Sequence, residues 1–579
     1  MMTGDKNMGN FRRQEWRYHR EDPGLAALIS DKLDIHPLLA RVMVGRSVKS
    51  VEEVYEVLHP TLRNLNDPFL FSDMDKAVER IATAVAAGDG VTIHGDYDVD
   101  GISSTALLID ALNSSSSDLR VHHFLPSRFE EGYGLSTACL DEMSKRGDTL
   151  LITVDCGIKA IEEVLSARER GIDVIVTDHH EPGPVIPEAL AVIDPKWRGS
   201  GYPFPELAGV GVAFKLTTAL QMRGVIDLDV RELLDLVALG TVSDLVPLIE
   251  ENRVLAHFGL ERLRSTTRVG ISSLISVSGM DPRNEVRSSD IAYKLGPRLN
   301  SAGRLAHPDL ALDLILTSDR FDADLFAREL NILNFKRQAI GKKLVAEILE
   351  EIERSNLGEG PAIVVGKEGW NPGVIGVSAA KLVDITGKPS IVLSIDGDIA
   401  RGSARAPSGF NIVDVLDPLS DILKEHGGHE RAAGLALKSE FLPEFRKRFC
   451  KLVEERYPDL SFPSTMDIDM DLTLSELDLP AVRSLDLLGP FGMGNPQPVI
   501  SIRDVLIGYD MSSVGDGKHL KFSITDDVRS LGCIWFNMGE HTKELAPGTK
   551  VSVAGMPEVH SWRGNEDVQL RVTDLIVVG

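Results

Sequence analysis

Between Val91 and Ile193 five short apolar runs alternate with helical patterns: Val91–His94, Val121–Leu125, Leu150–Val154, Val174–Thr177 and Leu190–Ile193. Runs this short and this apolar suit strands buried on both faces, and helices such as Ile102–Leu112 and Ala160–Arg170 supply the cover. The alternation predicts a doubly wound α/β domain with a parallel sheet. Helical patterns follow at Val212–Arg223 and Val230–Leu239. A further one, from Asp322 to Glu353, is too long for an ordinary globular helix and stops at Ser355-Asn356-Leu357-Gly358. It reads as a spine joining two lobes. A second α/β segment begins at Ala362-Ile363-Val364-Val365-Gly366 and runs to about Cys450. Beyond Thr465, five alternating strands separated by Gly and Asp turns predict a small barrel such as an OB-fold: Val499–Ile507, Leu520–Thr525, Ser530–Phe536, Val551–Met556 and Val568–Val578.

The length of 579 residues exceeds one hydrophobic core, and at roughly 100–200 residues per domain it predicts about three to five domains. No apolar run approaches the roughly 18–20 residues of a membrane span, and Met1 through Pro23 is polar and Arg-rich, without the apolar core of a secretory signal. The four cysteines, Cys139, Cys156, Cys450 and Cys533, are far apart, so a reducing cytoplasm fits better than a disulfide framework or zinc knuckle. The formal charge of −25 argues at first against nucleic acid as a partner. Net charge is a sum, however, and binding is local.

The run His94-Gly95-Asp96-Tyr97-Asp98-Val99-Asp100-Gly101 follows a strand and precedes a helix. It therefore sits at the carboxyl edge of the sheet, where open α/β folds bind ligands. Three alternating carboxylates in a tight loop repel one another unless a cation compensates them. A solvated Asp-rich turn is the bland alternative, and it weakens at the other strand ends. One strand ends in Val154-Asp155-Cys156-Gly157, the next in Thr177-Asp178-His179-His180, and a helical stretch leads to Thr241-Val242-Ser243-Asp244. Four such clusters that can converge on one edge are hard to explain structurally, because uncompensated buried charge is expensive. Oxygen and imidazole donors without thiolate select Mn²⁺ or Mg²⁺ before zinc. The supply of donors exceeds the needs of one ion, so two ions about 3.5–4 Å apart are expected, able to activate water and neutralise a phosphoryl group.

The ordered set Asp-x-Asp-x-Asp-Gly, Asp-x-Gly, Asp-His-His and Asp resembles the DHH phosphoesterase superfamily. The later run Gly427-Gly428-His429-Glu430-Arg431-Ala432-Ala433-Gly434 resembles the glycine-rich signature of its companion DHHA1 domain. Length, terminal barrel, Gly296-Pro297-Arg298-Leu299-Asn300-Ser301-Ala302-Gly303-Arg304 and Gly402-Ser403-Ala404-Arg405 resemble the branch that degrades single-stranded DNA from the 5′ end. The resemblance implies an α/β, two-lobed DHH plus DHHA1 core joined by a long helix, with a C-terminal OB-like β-barrel. The implied layout is a tail (1–24), a DHH catalytic domain (25–272), a helical connector (273–355), a DHHA1 domain (356–455) and the barrel (465–579). It further implies one ion on Asp98 and Asp155 with His94, and a second on Asp100, Asp155, His179 and Asp244, with Asp155 bridging. Asp96 supplies the contact where His94 does not, or acts from behind the ligands. Asp178 is expected to orient His179, and His180 to sit over the scissile phosphate as hydrogen-bond donor or acid.

The substrate side needs cations. Lys294 through Arg304 holds three basic residues and no acid, with Asn300 and Ser301 as neutral donors, and Ile399 through Gly409 holds Arg401, Ser403 and Arg405, again without an acid. Guanidinium forks suit phosphate oxygens. Arg298, Arg304 and Arg405 are read as phosphate ligands, while Arg401 stays open between that role and a surface pair. Arg128, after the second strand, resembles the arginine that the family places near the 5′ end of the strand, with a surface salt bridge as the alternative. His429 is expected where a helix begins, its N–H groups turned to a phosphate. Tyr97 and Tyr133 read as packed rather than base-stacking residues; for Trp535 and Trp562 both roles stay open.

The resemblance thus implies a two-metal 5′→3′ exonuclease that releases 5′-mononucleotides in recombination and repair. The groove beside the spine would admit one strand and not a duplex. The expected partners are single-stranded DNA and, among proteins, a single-strand-binding protein or a helicase; a monomer is expected, away from membranes. The alternatives are a DHH enzyme of small substrates such as nanoRNA, cyclic dinucleotides or pyrophosphate, and a non-catalytic replication scaffold on the same fold with a degraded metal site. The barrel segment from Thr465 to Gly579 carries 17 acidic against 9 basic residues, which leaves it a narrow local face for DNA or none. Charge reversal at Lys518 and Lys521 separates the two: an unchanged DNA affinity in a filter-binding titration would mean that the barrel takes no part.

Overall fold

In the computed structural model, residues 14–115, 118–128, 131–132, 134–281, 285–355, 357–458, 465–543, 545–562 and 564–578 are described. Tyr133 and the Trp562 side chain lie outside them, as does most of the expected N-terminal tail. The chain divides into two compact units, one of Leu62–Phe462 with Gly492–Gly494, the other of Met1–Thr61, Pro463–Phe491 and Asn495–Gly579.

The first unit opens on a five-stranded sheet. In space the strands run Arg120–Phe124, Gly90–His94, Leu150–Val154, Asp173–Thr177 and Ala191–Ile193, every neighbouring pair parallel. Gly90–His94 and Leu150–Val154 are buried at every position. Successive side chains go to opposite faces, so the sheet feeds two cores. Val91, Ile93, Ile152, Val154, Ile175 and Ile193 pack on one side with helices Met74–Ala87, Val99–Asn113 and Gly209–Met222. Leu151, Val174, Val176 and Val192 pack on the other with Thr137–Arg146 and Ile161–Glu169. The doubly wound expectation holds. The strand order reverses between Gly90–His94 and Leu150–Val154, so their carboxyl ends flank a crevice.

The spine is one helix of 36 residues, Arg320–Ser355. Ala323, Ala327, Leu330 and Asn334, spaced by three and four, bury its first half, with Ala327 and Leu330 in the core beside the sheet. Leu344, Ile348 and Ile352 bury its second half among Ile363, Val365 and Val374 of the second lobe. Between Asn334 and Leu344 no residue is buried, as a segment that bridges two cores requires. The second lobe has a mixed sheet ordered Leu423–His429, Ala432–Lys438, Ile399–Arg405, Ser390–Asp396 and Ile363–Glu368, with only the last two strands parallel. His429 departs from the expected helix start. It closes a strand, not the approach to a helix, and the hairpin turns back through Glu430 and Arg431. The run of small residues that suggested a helix start is instead a closely paired ribbon: a Cβ at Gly428 would stand 2.3 Å from the Ala432 carbonyl oxygen.

In the second unit, strands Ile500–Ile507, Lys550–Trp562, Asn565–Val577, Ser530–Trp535 and His519–Thr525 pair in that order, and the last pairs back to the first, closing a five-stranded barrel. Trp535 is buried in its core, so packing is its role. The expected domain boundary at residue 25 is not where the packing divides. Helices Pro23–Leu33, Pro37–Gly45 and Val51–Leu58 share the barrel's core through Ile29, Leu39, Val42 and Val54. Glu15–Tyr18 pairs with Thr465–Ile468, and Arg46 binds Asp469 at 2.6 Å. Partners more than four hundred residues apart leave no local trace in composition. No helix among the described residues is long and apolar enough to cross a membrane.

Ile348, fully buried between spine and second lobe, is the test of that joint. Ile348→Ala is expected to cost about 2–5 kcal/mol in urea unfolding, while Lys343→Ala, on the exposed face, should stay within about 0.5 kcal/mol.

Candidate functional site

Four chain segments bring acids and imidazoles to the crevice. Asp98 caps helix Val99–Asn113, accepting from the Asp100 N–H at 3.0 Å and the Gly101 N–H at 3.2 Å. Asp100, in the first turn, accepts from the N–H groups of Gly209 at 2.7 Å and Val210 at 2.9 Å, where the next layer's helix begins. That helix is moored farther along by a buried pair, Lys215 Nζ donating to Glu251 at 2.6 Å. Asp155 directly follows its strand at φ +59°, a left-handed conformation that a non-glycine residue keeps only where its surroundings impose it. Asp178-His179-His180 follows Asp173–Thr177, and Asp244 caps the end of helix Leu234–Ser243.

Their ligand atoms converge. Those of Asp96, Asp98 and Asp155 lie within 4.8 Å of one another, as do those of Asp100, His179 and Asp244, and those of Asp155, His179 and His180. His179 Nε2 stands 3.0 Å from Asp155, 3.6 Å from Asp244 and 3.9 Å from Asp100. Asp155 and His179 each enter two groups, so the three groups form one connected centre. The packing tolerates nothing larger: a Cβ at Gly209 would stand 2.8 Å from Asp155 Oδ1, and one at Gly240 would stand 2.5 Å from Asp100 Oδ1.

Burial, then the mutual repulsion of the carboxylates, raises the proton affinity of this cluster. Asp96 is pushed up by burial and Asp98, Asp155 by burial and Asp100, Asp244 by burial and Asp100. Asp100 reaches about 7 by burial and Asp98, despite its two N–H donors. His179 falls to about 3 through burial and the neighbouring His180. Asp96 Oδ1, Asp155 Oδ1 and His179 Nε2 are buried without a hydrogen bond among the described residues. Hard oxygen donors and a neutral imidazole around a common centre fit a pair of divalent cations.

The structure does not bring His94 to these groups. Its ring is buried, Nε2 accepts from the Ser136 N–H at 3.3 Å, Nδ1 lies 3.6 Å from Cys156 Sγ, and burial lowers its pKa to about 4. Asp96, one pleat on, stands there instead. Asp178 likewise holds a different partner from the expected one. Its Oδ1 accepts from His180 Nδ1 at 2.8 Å and from the backbone N–H of His179, and it leaves the His179 ring alone. Burial works against the Asp178 charge, but the His180 bond holds its pKa at about 2; burial likewise opposes the His180 charge, and Asp178 lifts it to about 9.

On the substrate side, the Arg128 guanidinium lies 4.0 Å over the Tyr97 ring. Arg304 donates to the Gly373 carbonyl of the second lobe at 3.1 Å, and burial with the nearby charges of Arg128 and Arg337 lowers its pKa to about 10. Arg405 donates to Ser403 Oγ at 2.8 Å, and burial and Arg128 lower its pKa too. Across the second sheet Arg405 pairs with Ala432, which pairs with His429, so His429 lies in the same row. Arg298 and Ser301 turn elsewhere. Arg298 is buried on Asn331 and the Lys294 carbonyl, and Ser301 Oγ donates to the Arg298 carbonyl at 2.6 Å. Asn300 is half-buried on the same helix, and Arg401 is exposed and paired with Glu425 at 3.0 Å.

Two neighbours were not singled out from sequence. Asp194, buried at the end of the fifth strand, is raised to about 7 by burial and Asp178; the strand-end rule that found the other acids points to it as well. Lys196, beyond it, is close enough for its charge to act on His179, Asp244 and His429.

Three family descriptions match the chain: "DHH family, N-terminal domain" over residues 90–241, "DHHA1 domain" over 359–455 and "RecJ OB domain" over 468–574. The chain is 39% identical over 568 residues to the single-stranded-DNA-specific exonuclease RecJ of Bacillus subtilis, covering 98% of this chain and 71% of the relative. It superposes on RecJ of Thermus thermophilus in complex with Mn²⁺ with a TM-score of 0.84 at 29% identity, covering 98% of this chain and 80% of that one. The Mg²⁺ complex of the same protein gives 0.75 at 27%, covering 97% and 78%.

Asp100 sets a sign for the pH dependence. Between its ordinary value near 3.8 and about 7 the folded chain holds a proton that the unfolded chain has released, so ion-free stability falls as pH rises through that window. A divalent cation must displace that proton below about pH 7 and meets a bare carboxylate above it. The rise in Tm on adding Mn²⁺ is therefore expected to be larger at pH 8 than at pH 6. Equal shifts at both would show that the ion binds elsewhere.

Proposed function

We infer the activity of this chain from one premise: it belongs to the RecJ family of DHH phosphoesterases. It is a metal-dependent exonuclease specific for single-stranded DNA. The observation that carries this reading is the joint geometry of the crevice, where three interlocked groups of acids and imidazoles face a cluster of arginines drawn from both lobes. Asp98 and Asp155, with Asp96, would hold one ion; Asp100, Asp155, His179 and Asp244 would hold the other. When bound, Mn²⁺ or Mg²⁺ supplies the Lewis acidity that activates water and neutralises the phosphoryl charge.

The chain's own residues do the rest. Arg304, Arg405 and Ser403 bind backbone phosphates and fix the strand, His429 closes on it from the hairpin, and Arg128 takes the phosphate at the 5′ end. Arg298 and Ser301 support these groups by locking their helix to the spine, and Asn300 adds a donor. His180, kept protonated by Asp178, presents Nε2 to the scissile phosphate, stabilises its developing charge and can give a proton to the leaving oxygen. A 5′-mononucleotide leaves, and the strand advances 5′→3′. Recombination and repair in the cytoplasm are the setting, with a single-strand-binding protein or a helicase as partner and a monomer as the working form. The small-substrate reading gives no use for a spine of 36 residues or a terminal barrel. The scaffold reading requires a degraded centre, whereas every acid expected to bind metal and both imidazoles of the Asp-His-His run enter the site described above.

Single-stranded DNA labelled at either end, digested with Mn²⁺ and with chelator, is the test. The 5′ label should be released first, and only with the ion. Release from the 3′ end would reverse the polarity, and rapid turnover of pyrophosphate with DNA intact would favour the small-substrate enzyme. Asp155→Ala should lower activity by at least about a thousandfold with the fold retained by circular dichroism; retained activity would remove Asp155 from the centre.

A further inference from the structure

Tyr97 stands between two acids of the metal groups, Asp96 and Asp98, and the function derived above leaves its side chain without a task. An aromatic residue in such a loop invites the idea of a stacked base. The structure gives its ring another occupant. The Arg128 guanidinium carbon lies 4.0 Å from the ring centroid, well inside the range of a cation–π contact. Arg128 Nε is buried and makes no hydrogen bond among the described residues, and the ring face, with the charge of Asp96 nearby, restrains this guanidinium. Arg128 also sits within electrostatic reach of Arg304 and Arg405, and three like charges at close range scatter unless something holds them.

The loop is seated from below as well. Gly303 packs against Tyr97 so closely that a Cβ there would stand 2.5 Å from the Tyr97 carbonyl oxygen and 3.3 Å from Tyr97 Cβ. The residue after Gly303 is Arg304. One tyrosine thus lies against the segment that carries Arg304 and beneath the side chain of Arg128, on the loop that supplies Asp96 and Asp98.

We propose that Tyr97 is a positioning residue: its ring is the platform that holds Arg128 toward the terminal phosphate of the strand, tying the phosphate anchor to the metal loop, and it does not stack on a base. The inference rests on the reading of Arg128 as the 5′-phosphate anchor. Three properties follow. The effect of Tyr97 passes through Arg128, it depends on the electron density of the ring face and not on the hydroxyl, and it falls on substrate binding rather than on metal affinity.

A double-mutant cycle tests all three, with KM and kcat measured on single strands bearing a 5′-phosphate or a 5′-hydroxyl, and Mn²⁺ affinity followed by calorimetry. Arg128→Ala should raise KM for the phosphorylated end. Tyr97→Leu should raise it about tenfold, with kcat and Mn²⁺ affinity little changed, and Tyr97→Phe should restore most of the loss. In the Arg128→Ala background, Tyr97→Leu should add nothing. If Tyr97→Leu disturbs folding, graded fluorination of phenylalanine at position 97 keeps the shape and drains the ring face, and KM should climb step by step with fluorine count. A KM indifferent to fluorination, or a Tyr97→Leu effect of equal size with and without Arg128, would overturn the platform role while leaving the anchor reading intact. An unchanged KM in Arg128→Ala would overturn both, and a fall in Mn²⁺ affinity on fluorination would assign Tyr97 to the metal loop instead.

Discussion

Buried carboxylates that crowd one another are the constraint on which this protein turns. Asp96, Asp100, Asp155 and Asp244 are each pushed toward the protonated state by burial and by a neighbouring acid. A fold left with that arrangement alone would do better to spread it apart. The surroundings hold it together: two N–H groups grip Asp100, Asp155 stays in a left-handed conformation, and glycines at 209 and 240 let helices approach to contact distance. Such pre-organisation makes sense when divalent cations supply the missing charge, and it places them at the one point of the sheet where neighbouring loops diverge and leave room for a substrate.

The opposite charge is organised by the same economy. Arg128, Arg304 and Arg405 arrive from the end of a strand, a helix and the second lobe's sheet, and each feels at least one other as a like charge. The spine makes this meeting possible, because its two buried halves belong to different cores and fix the second sheet against the first. Acids gathered around metal ions and arginines gathered around a phosphate track are complementary demands on one crevice. A chain with a net charge of −25 can therefore take a polyanion as substrate, since the sum over the surface says little about the field inside a cleft.

Much of this was legible in the linear chain, for a local reason. A parallel strand buried on both faces leaves a short apolar run, and the residue after it lies at the carboxyl edge of the sheet. Asp96, Asp155, Asp178 and His179 could all be placed by that rule, and Asp194 obeys it too. The five barrel strands were readable in the same way from alternation and turns. The helix start expected at His429 failed because Gly and Ala are as compatible with a tight β-hairpin as with a helix start, and no local pattern separates the two. Arg298 failed to stand out from Arg304 because residues on different faces of one helix look alike until their neighbours are known.

The sequence by itself determined the architecture of each lobe and the identity of the acids at the sheet edge, since both follow from periodicity and position within a few residues. Tertiary structure alone decided which groups meet. It turned His94 to Ser136 and Cys156, gave the Asp178 carboxylate to His180, laid Arg128 on Tyr97, and joined residues 14–61 to the barrel rather than to the sheet they precede. Those outcomes depend on side-chain direction and on contacts between segments distant in the chain. Both are settled by how whole layers pack, and neither is written in the residues nearby.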